Sequence, residues 1–126
     1  MRFLLDTNVV VWLLLGERRA IPSVVADTLT EPDNTILVSA ASVWEIAIKS
    51  SLGKLRIEPR WPAALNRLDM DHLPVTAEHA AAVEALLWHH RDPFDRLLVA
   101  QATVEQCTLV TADRALDLYG VPTMWH

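Results

Sequence analysis

Four acidic residues stand where the chain changes character. Asp6 follows the apolar run Phe3, Leu4, Leu5 and precedes another from Val9 to Leu15. Glu45 lies within "AASVWEIAIKSSLG", Asp95 within "DPFDRLLVAQATVEQ", and Asp113 just after "TLVT". A carboxylate between two apolar runs is costly to desolvate unless its charge has a use. If several such acids met, they would repel one another until one took a proton. A hard divalent cation removes that conflict. Mg²⁺ or Mn²⁺ prefers oxygen ligands, keeps several waters and needs only a few carboxylates. Such an ion can make a water more acidic and stabilise charge on a phosphate.

For the acids to meet, the elements carrying them must share an edge. "RFLL" reads as a short buried strand, and Asn8 as the cap of a helix reaching about Leu15. "IPSVVADTLTE" is a second helix with Pro22 near its first turn, followed by a turn at Pro32, Asp33 and Asn34. "TILVS" is a strand, and "AASVWEIAIKSSLG" a helix stopped by Gly53. "RWPAALNRLDM" is a helix, "HLPV" a weak strand, and "TAEHAAAVEALLWHH" a helix capped by Thr76. In "DPFDRLLVAQATVEQ", Asp92 caps, Pro93 takes the first helical position and Asp95 the third. "TLVT" is a strand, "DRALDLYG" a short helix ending near Gly120, and "PTMW" a last strand. Such alternation predicts an α/β fold over residues 1–126, a single domain with a central, mostly parallel sheet and helices on both faces. In an open sheet of this kind, strand C-termini and the helices after them gather along one edge, where ligands bind.

Each acid also has a purely local role open to it. Asp6 could end a strand in a turn, and Asp113 could cap "RALDLYG". Glu45 could close a capping box with Ser42, since "SVWE" fits S-x-x-E. If Ser39 is the cap instead, Glu45 falls in the second turn and is free to face the edge. Asp95 would be favourable in any first helical turn.

Composition narrows the remaining choices. The 126 residues are 52% hydrophobic with a formal charge of −5, which argues against a broad cationic nucleic-acid surface. The charge is uneven, however: Lys49, Lys54, Arg56 and Arg60 share one segment with a single acid, Glu58. That segment is either a solvated loop or a contact for an acidic partner. The single cysteine, Cys107, rules out an internal disulfide and is expected to be a buried, inert thiol. No run is long and apolar enough to span a membrane, and no signal peptide opens the chain, so a reduced, cytoplasmic setting is expected. The histidines are poorly spaced for zinc: His89 and His90 are adjacent, His72 and His79 lie in different elements, and His126 is last. No G-x-S-x-G elbow, Walker A or G-x-G-x-x-G run is present. Trp12 and Trp44, in apolar helices, are expected in the core.

The runs "LLDTNVVVWLL", "SAASVWEIAIKSSLGKL", "RDPFDRLLVAQA" and "LVTADRAL" together resemble a PIN domain, and within that superfamily the toxins of VapBC-type toxin–antitoxin pairs. The likeness covers nearly the whole chain. It implies metal-dependent RNA cleavage leaving a 5′-phosphate and a 3′-hydroxyl, a homodimer, and a cognate antitoxin. The family's acidic positions fall on Asp6, Glu45, Asp95 and Asp113. On this resemblance Asp6, Asp95 and Asp113 hold Mg²⁺ or Mn²⁺, and Glu45 orients a water, acts as base or completes the metal's shell. Thr7 or Asn8, and Thr111, match polar positions that help arrange the site and its substrate. Asp95 rather than Asp92 takes the ligand role, because "DRLLVAQA" fits the family's pattern of an Asp followed by an Ala-rich apolar helix. Two other functions compete. A phosphatase using Asp6 as nucleophile would need a second acid two residues on, where this chain has Asn8. A PIN-like scaffold that only binds a partner would not need all four acids.

Overall fold

A computed structural model describes residues 1–126. Five strands form one sheet: β1 (Arg2–Leu5), β2 (Thr35–Ser39), β3 (Asp71–Leu73), β4 (Thr108–Val110) and β5 (Thr123–Met124). Their order is β3-β2-β1-β4-β5, and every pairing is parallel. The expected mostly parallel sheet is therefore parallel throughout. Six α-helices connect and flank the strands: α1 (Thr7–Leu15), α2 (Ser23–Thr30), α3 (Ala40–Ser51), α4 (Trp61–Arg67), α5 (Ala77–Ala82) and α6 (Pro93–Glu105).

Strand alternation divides the core between the two faces. Phe3 and Leu5, with Ile36 and Val38, pack with Val9, Val10, Val25, Ile46 and Leu65 from the first four helices. Leu4 and Leu37 point the other way, onto Leu98, Val99 and Ala102 of α6. Helices thus cover both faces, and strands buried on two sides read as unbroken apolar runs. Cys107 belongs to the second face; burial pushes its thiol above the usual range, which suits an inert side chain. No helix is long and apolar enough to cross a membrane.

Several local expectations change in detail. The first helix begins at Thr7 rather than after Asn8, because the Asp6 carbonyl already accepts from Val9 and Val10 N–H, at 3.0 and 3.2 Å. Asn8 is an exposed residue of the first turn, not a cap. Thr76 caps α5 in a reciprocal box with His79, as expected of a cap, but α5 ends at Ala82 and a 3₁₀ turn closes it at Ala85. The helix anticipated through His90 stops early because Arg96, 3% exposed in α6, takes the released carbonyls. Its guanidinium donates to Val83, Leu86 and Leu87 at 3.3, 3.3 and 2.8 Å. A buried cation needs such acceptors. "RALDLY" forms a 3₁₀ helix rather than an α-helix, closed by Gly120 in the left-handed region at φ 79°.

The two tryptophans expected in the core part ways. Trp12 packs, half-buried, against the first core cluster and against Trp125, with ring centroids 5.6 Å apart. Trp44 is 61% exposed, because the buried stripe of α3 is Ala41, Ser42, Glu45 and Ile46, and it packs edge-on against Phe94 instead.

Candidate active site

The sheet order reverses direction between β1 and β4, and side chains beyond the C-terminal ends of those strands meet there. Asp6 is the first residue after β1 and is 4% exposed. Its Oδ2 accepts from the Thr111 hydroxyl at 2.8 Å. The same Thr111 oxygen accepts from the Asp113 N–H at 3.0 Å. One buried hydroxyl thus couples Asp6, after β1, to the backbone of Asp113, after β4. Asp113 also caps the 3₁₀ turn, with Oδ1 accepting from Ala115 N–H at 2.9 Å. Its local role and its place at the edge are compatible.

Glu45 arrives from the far side of β1. Ser39 is the cap of α3, accepting from Ala41 N–H at 3.0 Å. Ser42 instead accepts from the Thr7 hydroxyl at 2.9 Å, which ties α1 to α3. The capping-box role for Glu45 therefore does not arise. Glu45 is 4% exposed, and Oε2 takes Lys49 Nζ at 2.6 Å, while its buried Oε1 has no hydrogen-bond partner in the protein. An orphaned carboxylate oxygen at a cleft of acids is an unmet acceptor that a cation or water would satisfy.

Asp95 comes in on α6. Asp92 is the cap, its Oδ1 accepting from Phe94 and Asp95 N–H at 2.8 and 3.3 Å, as the "DPFD" spacing anticipates. That places Asp95 in the first turn, where burial, reinforced by the charges of Asp6, Asp92 and Glu45 and opposed by His90, pushes its carboxyl from the ordinary 3.8 up to about 7. Asp6 is also raised, chiefly by burial; hydrogen bonds from Thr111 and Thr7 oppose the rise, and the charges of Glu45 and Asp113 add to it. Asp6 and Asp95 thus each feel the charge of neighbouring acids, Glu45 among them in both cases.

The structure adds a residue that spacing alone does not single out. His90 Nε2 lies 3.1 Å from Asp113 Oδ2 and 3.3 Å from Asp95 Oδ2. The loop that follows the truncated α5 delivers it there. A faint signal exists in its position two residues before a helix cap, where a side-chain acceptor can reach forward to a free N–H. Asn8, by contrast, makes no side-chain hydrogen bond and faces solvent beside Asp6.

The donor set fits a hard divalent cation: carboxylates from three separate helical starts and one buried second-turn Glu, with an oxygen left unpartnered. An open α/β sheet with an acid cluster at its switch point is one class of metal-dependent hydrolase scaffold. The PIN domain family model matches residues 3–121, and the chain belongs to that family. Solved structures with a similar fold include VapBC2 from Rickettsia felis bound to a promoter DNA fragment, at TM-score 0.75 and 18% identity over 100% of both chains. VapBC-1 from nontypeable Haemophilus influenzae is similar at TM-score 0.73 and 16% identity, covering 98% of this chain and 97% of that one. A toxin–antitoxin complex from Klebsiella pneumoniae follows at TM-score 0.63 and 23% identity, over 96% and 94%. No curated protein matches the sequence.

Proposed function

We propose that this chain is a divalent-metal-dependent endoribonuclease and the toxin of a type II toxin–antitoxin pair. The observation that carries the reading is the buried, unpartnered Oε1 of Glu45 beside Asp6 and Asp95, whose carboxyls are both raised, first by burial and then by neighbouring charge. Membership of the PIN family supports nuclease chemistry over the phosphatase alternative. A scaffold that only binds a partner would leave the repulsion among these acids without a purpose.

Asp6, Asp95 and Asp113 would hold Mg²⁺ or Mn²⁺. Bound there, the ion supplies polarisation of a phosphate oxygen and a more acidic water. Thr111 holds Asp6 and the Asp113 backbone in fixed relation. Thr7 keeps the Asp6 helix in register with the Glu45 helix. Glu45, with Oε2 on Lys49, keeps Oε1 to orient a water or accept its proton. Asn8, exposed on the first turn of α1, is available to the RNA backbone.

The similar structures are named for VapBC pairs and a toxin–antitoxin complex. A cognate antitoxin is accordingly the partner; the likeness of the sequence motifs to VapBC-type toxins adds a homodimer as the working unit and the cytoplasm as the setting. An Arg or Lys of the antitoxin entering the acidic edge would inhibit through charge complementarity. The test is RNA cleavage by purified chain freed of contaminating nuclease. Cleavage should require Mg²⁺ or Mn²⁺ and vanish in excess EDTA and in Asp6→Asn. Undiminished cleavage in EDTA would remove the metal from the mechanism, and no cleavage with either cation would favour the scaffold.

A further inference from the structure

His90 is not among the family's acids, yet it touches two of them. One imidazole and two carboxylates, with ligand atoms all within 4.8 Å of one another, have the composition of a metal triad. The other ring nitrogen argues for a different role. The Asp92 main-chain N–H points at His90 Nδ1 from 3.1 Å. Only a bare ring nitrogen can accept that bond, so a neutral ring carries its proton on Nε2. Nε2 then has no in-plane lone pair to offer a metal. A metal-bound histidine has the reverse arrangement, with the remote nitrogen donating. The backbone on both sides of the ring is pinned as well. His90 N–H donates to the Tyr119 hydroxyl at 2.9 Å, and the His90 carbonyl accepts from Arg96 at 3.4 Å.

We propose that His90 is a positioning residue whose Nε2–H, fixed in that tautomer by the Asp92 backbone, orients Asp113 for the cation without binding it. The inference rests on the cation reading above. A carboxylate held only through its Cα–Cβ axis can rotate. Asp113 receives Ala115 N–H on Oδ1 and His90 on Oδ2, which fixes its plane. Asp95 Oδ2 lies 3.3 Å from the same Nε2, in contact with the ring while the Nε2–H is directed at Asp113.

The test uses the full chain and two readouts. Long-range ¹H–¹⁵N correlation spectra of the wild type at neutral pH should show His90 protonated on Nε2 and bare on Nδ1, before and after Mg²⁺ is added. Mn²⁺ affinity, measured by electron paramagnetic resonance, should weaken about 10–100-fold in His90→Ala. His90→Gln, whose amide N–H can replace the ring donor, should recover most of that loss. A bare Nε2, or one that loses its proton when Mg²⁺ binds, would make His90 a ligand and overturn the assignment. So would undiminished Mn²⁺ affinity in His90→Ala, or a Gln variant no better than Ala. A wild-type chain that binds neither cation would fail the cation reading itself, and this assignment with it.

Discussion

Asp95 concentrates the electrostatics of the edge in one side chain. Its carboxyl is pushed from 3.8 to about 7 by burial and by Asp6, Asp92 and Glu45, with His90 pulling the other way. Between about pH 4 and pH 7 the folded protein then keeps a proton that the unfolded chain has released, so this group's stability contribution shrinks as pH rises through that window. In EDTA, wild type should gain stability on going from about pH 8 to pH 5, relative to Asp95→Asn, by on the order of a few kcal/mol. Divalent cations should stabilise in the opposite sense, more at pH 8 than at pH 5, because they need the carboxylate unprotonated. Thermal melts of both proteins across that range read the difference. Parallel pH profiles for the two would detach the shift from Asp95.

At the scale of elements, the site depends on where each helix begins. The start of α6 is set by Asp92, with Pro93 supplying a fixed φ at the first position. Asp92→Ala should cost about 1 kcal/mol of stability through the missing cap. It should also weaken cation binding, since the first turn that carries Asp95 and the N–H that locks His90 both depend on that cap's geometry. Urea unfolding and Mn²⁺ titration of the variant check both. A loss of stability with unchanged Mn²⁺ affinity would confine Asp92 to capping. The same scale explains what is legible in the sequence. β1, β2, β4 and α6 follow from apolar runs and the D-P-x-D start, because burial on two faces and capping are both written locally. The length of α5 is not legible, because it ends on acceptors claimed by Arg96, eleven residues beyond the 3₁₀ turn's last residue, Ala85. His90 escapes for the same reason: a lone histidine carries no spacing signal, and its partners come from α6 and from beyond β4. Trp44 reads as core from the apolar character of its helix, whereas the buried stripe runs one residue to its side.

For the whole molecule, a charge of −5 must be reconciled with the polyanionic substrate proposed above. Lys54, Arg56 and Arg60 are exposed beyond the end of α3, while Lys49 is bound to Glu45. If this segment holds RNA, Lys54→Gln with Arg56→Gln should weaken binding and flatten its dependence on salt. The log–log slope should fall by about 0.7 for each phosphate that is no longer neutralised. Filter binding to single-stranded RNA over a salt series measures this, and an unchanged slope would return the segment to a solvated loop. The parallel sheet itself is readable, since alternating strands and helices leave few other topologies. That readable topology is also why acids far apart in the chain can be expected at one edge.

Whether those acids form a cation site is decided most directly by thermal unfolding of wild type and Asp95→Asn at about pH 8, each in EDTA and in excess Mn²⁺. Two charges ~4 Å apart at an effective dielectric of ~20 repel by roughly 4 kcal/mol, an upper guide before screening. In EDTA the variant should therefore be as stable as wild type or more so. Wild type should gain about 2.7 kcal/mol at a Mn²⁺ concentration about a hundredfold above Kd, a shift of several degrees in Tm, and the variant should lose most of that gain. A variant destabilised equally in both conditions, beside a wild type that Mn²⁺ leaves unmoved, would contradict the cation site.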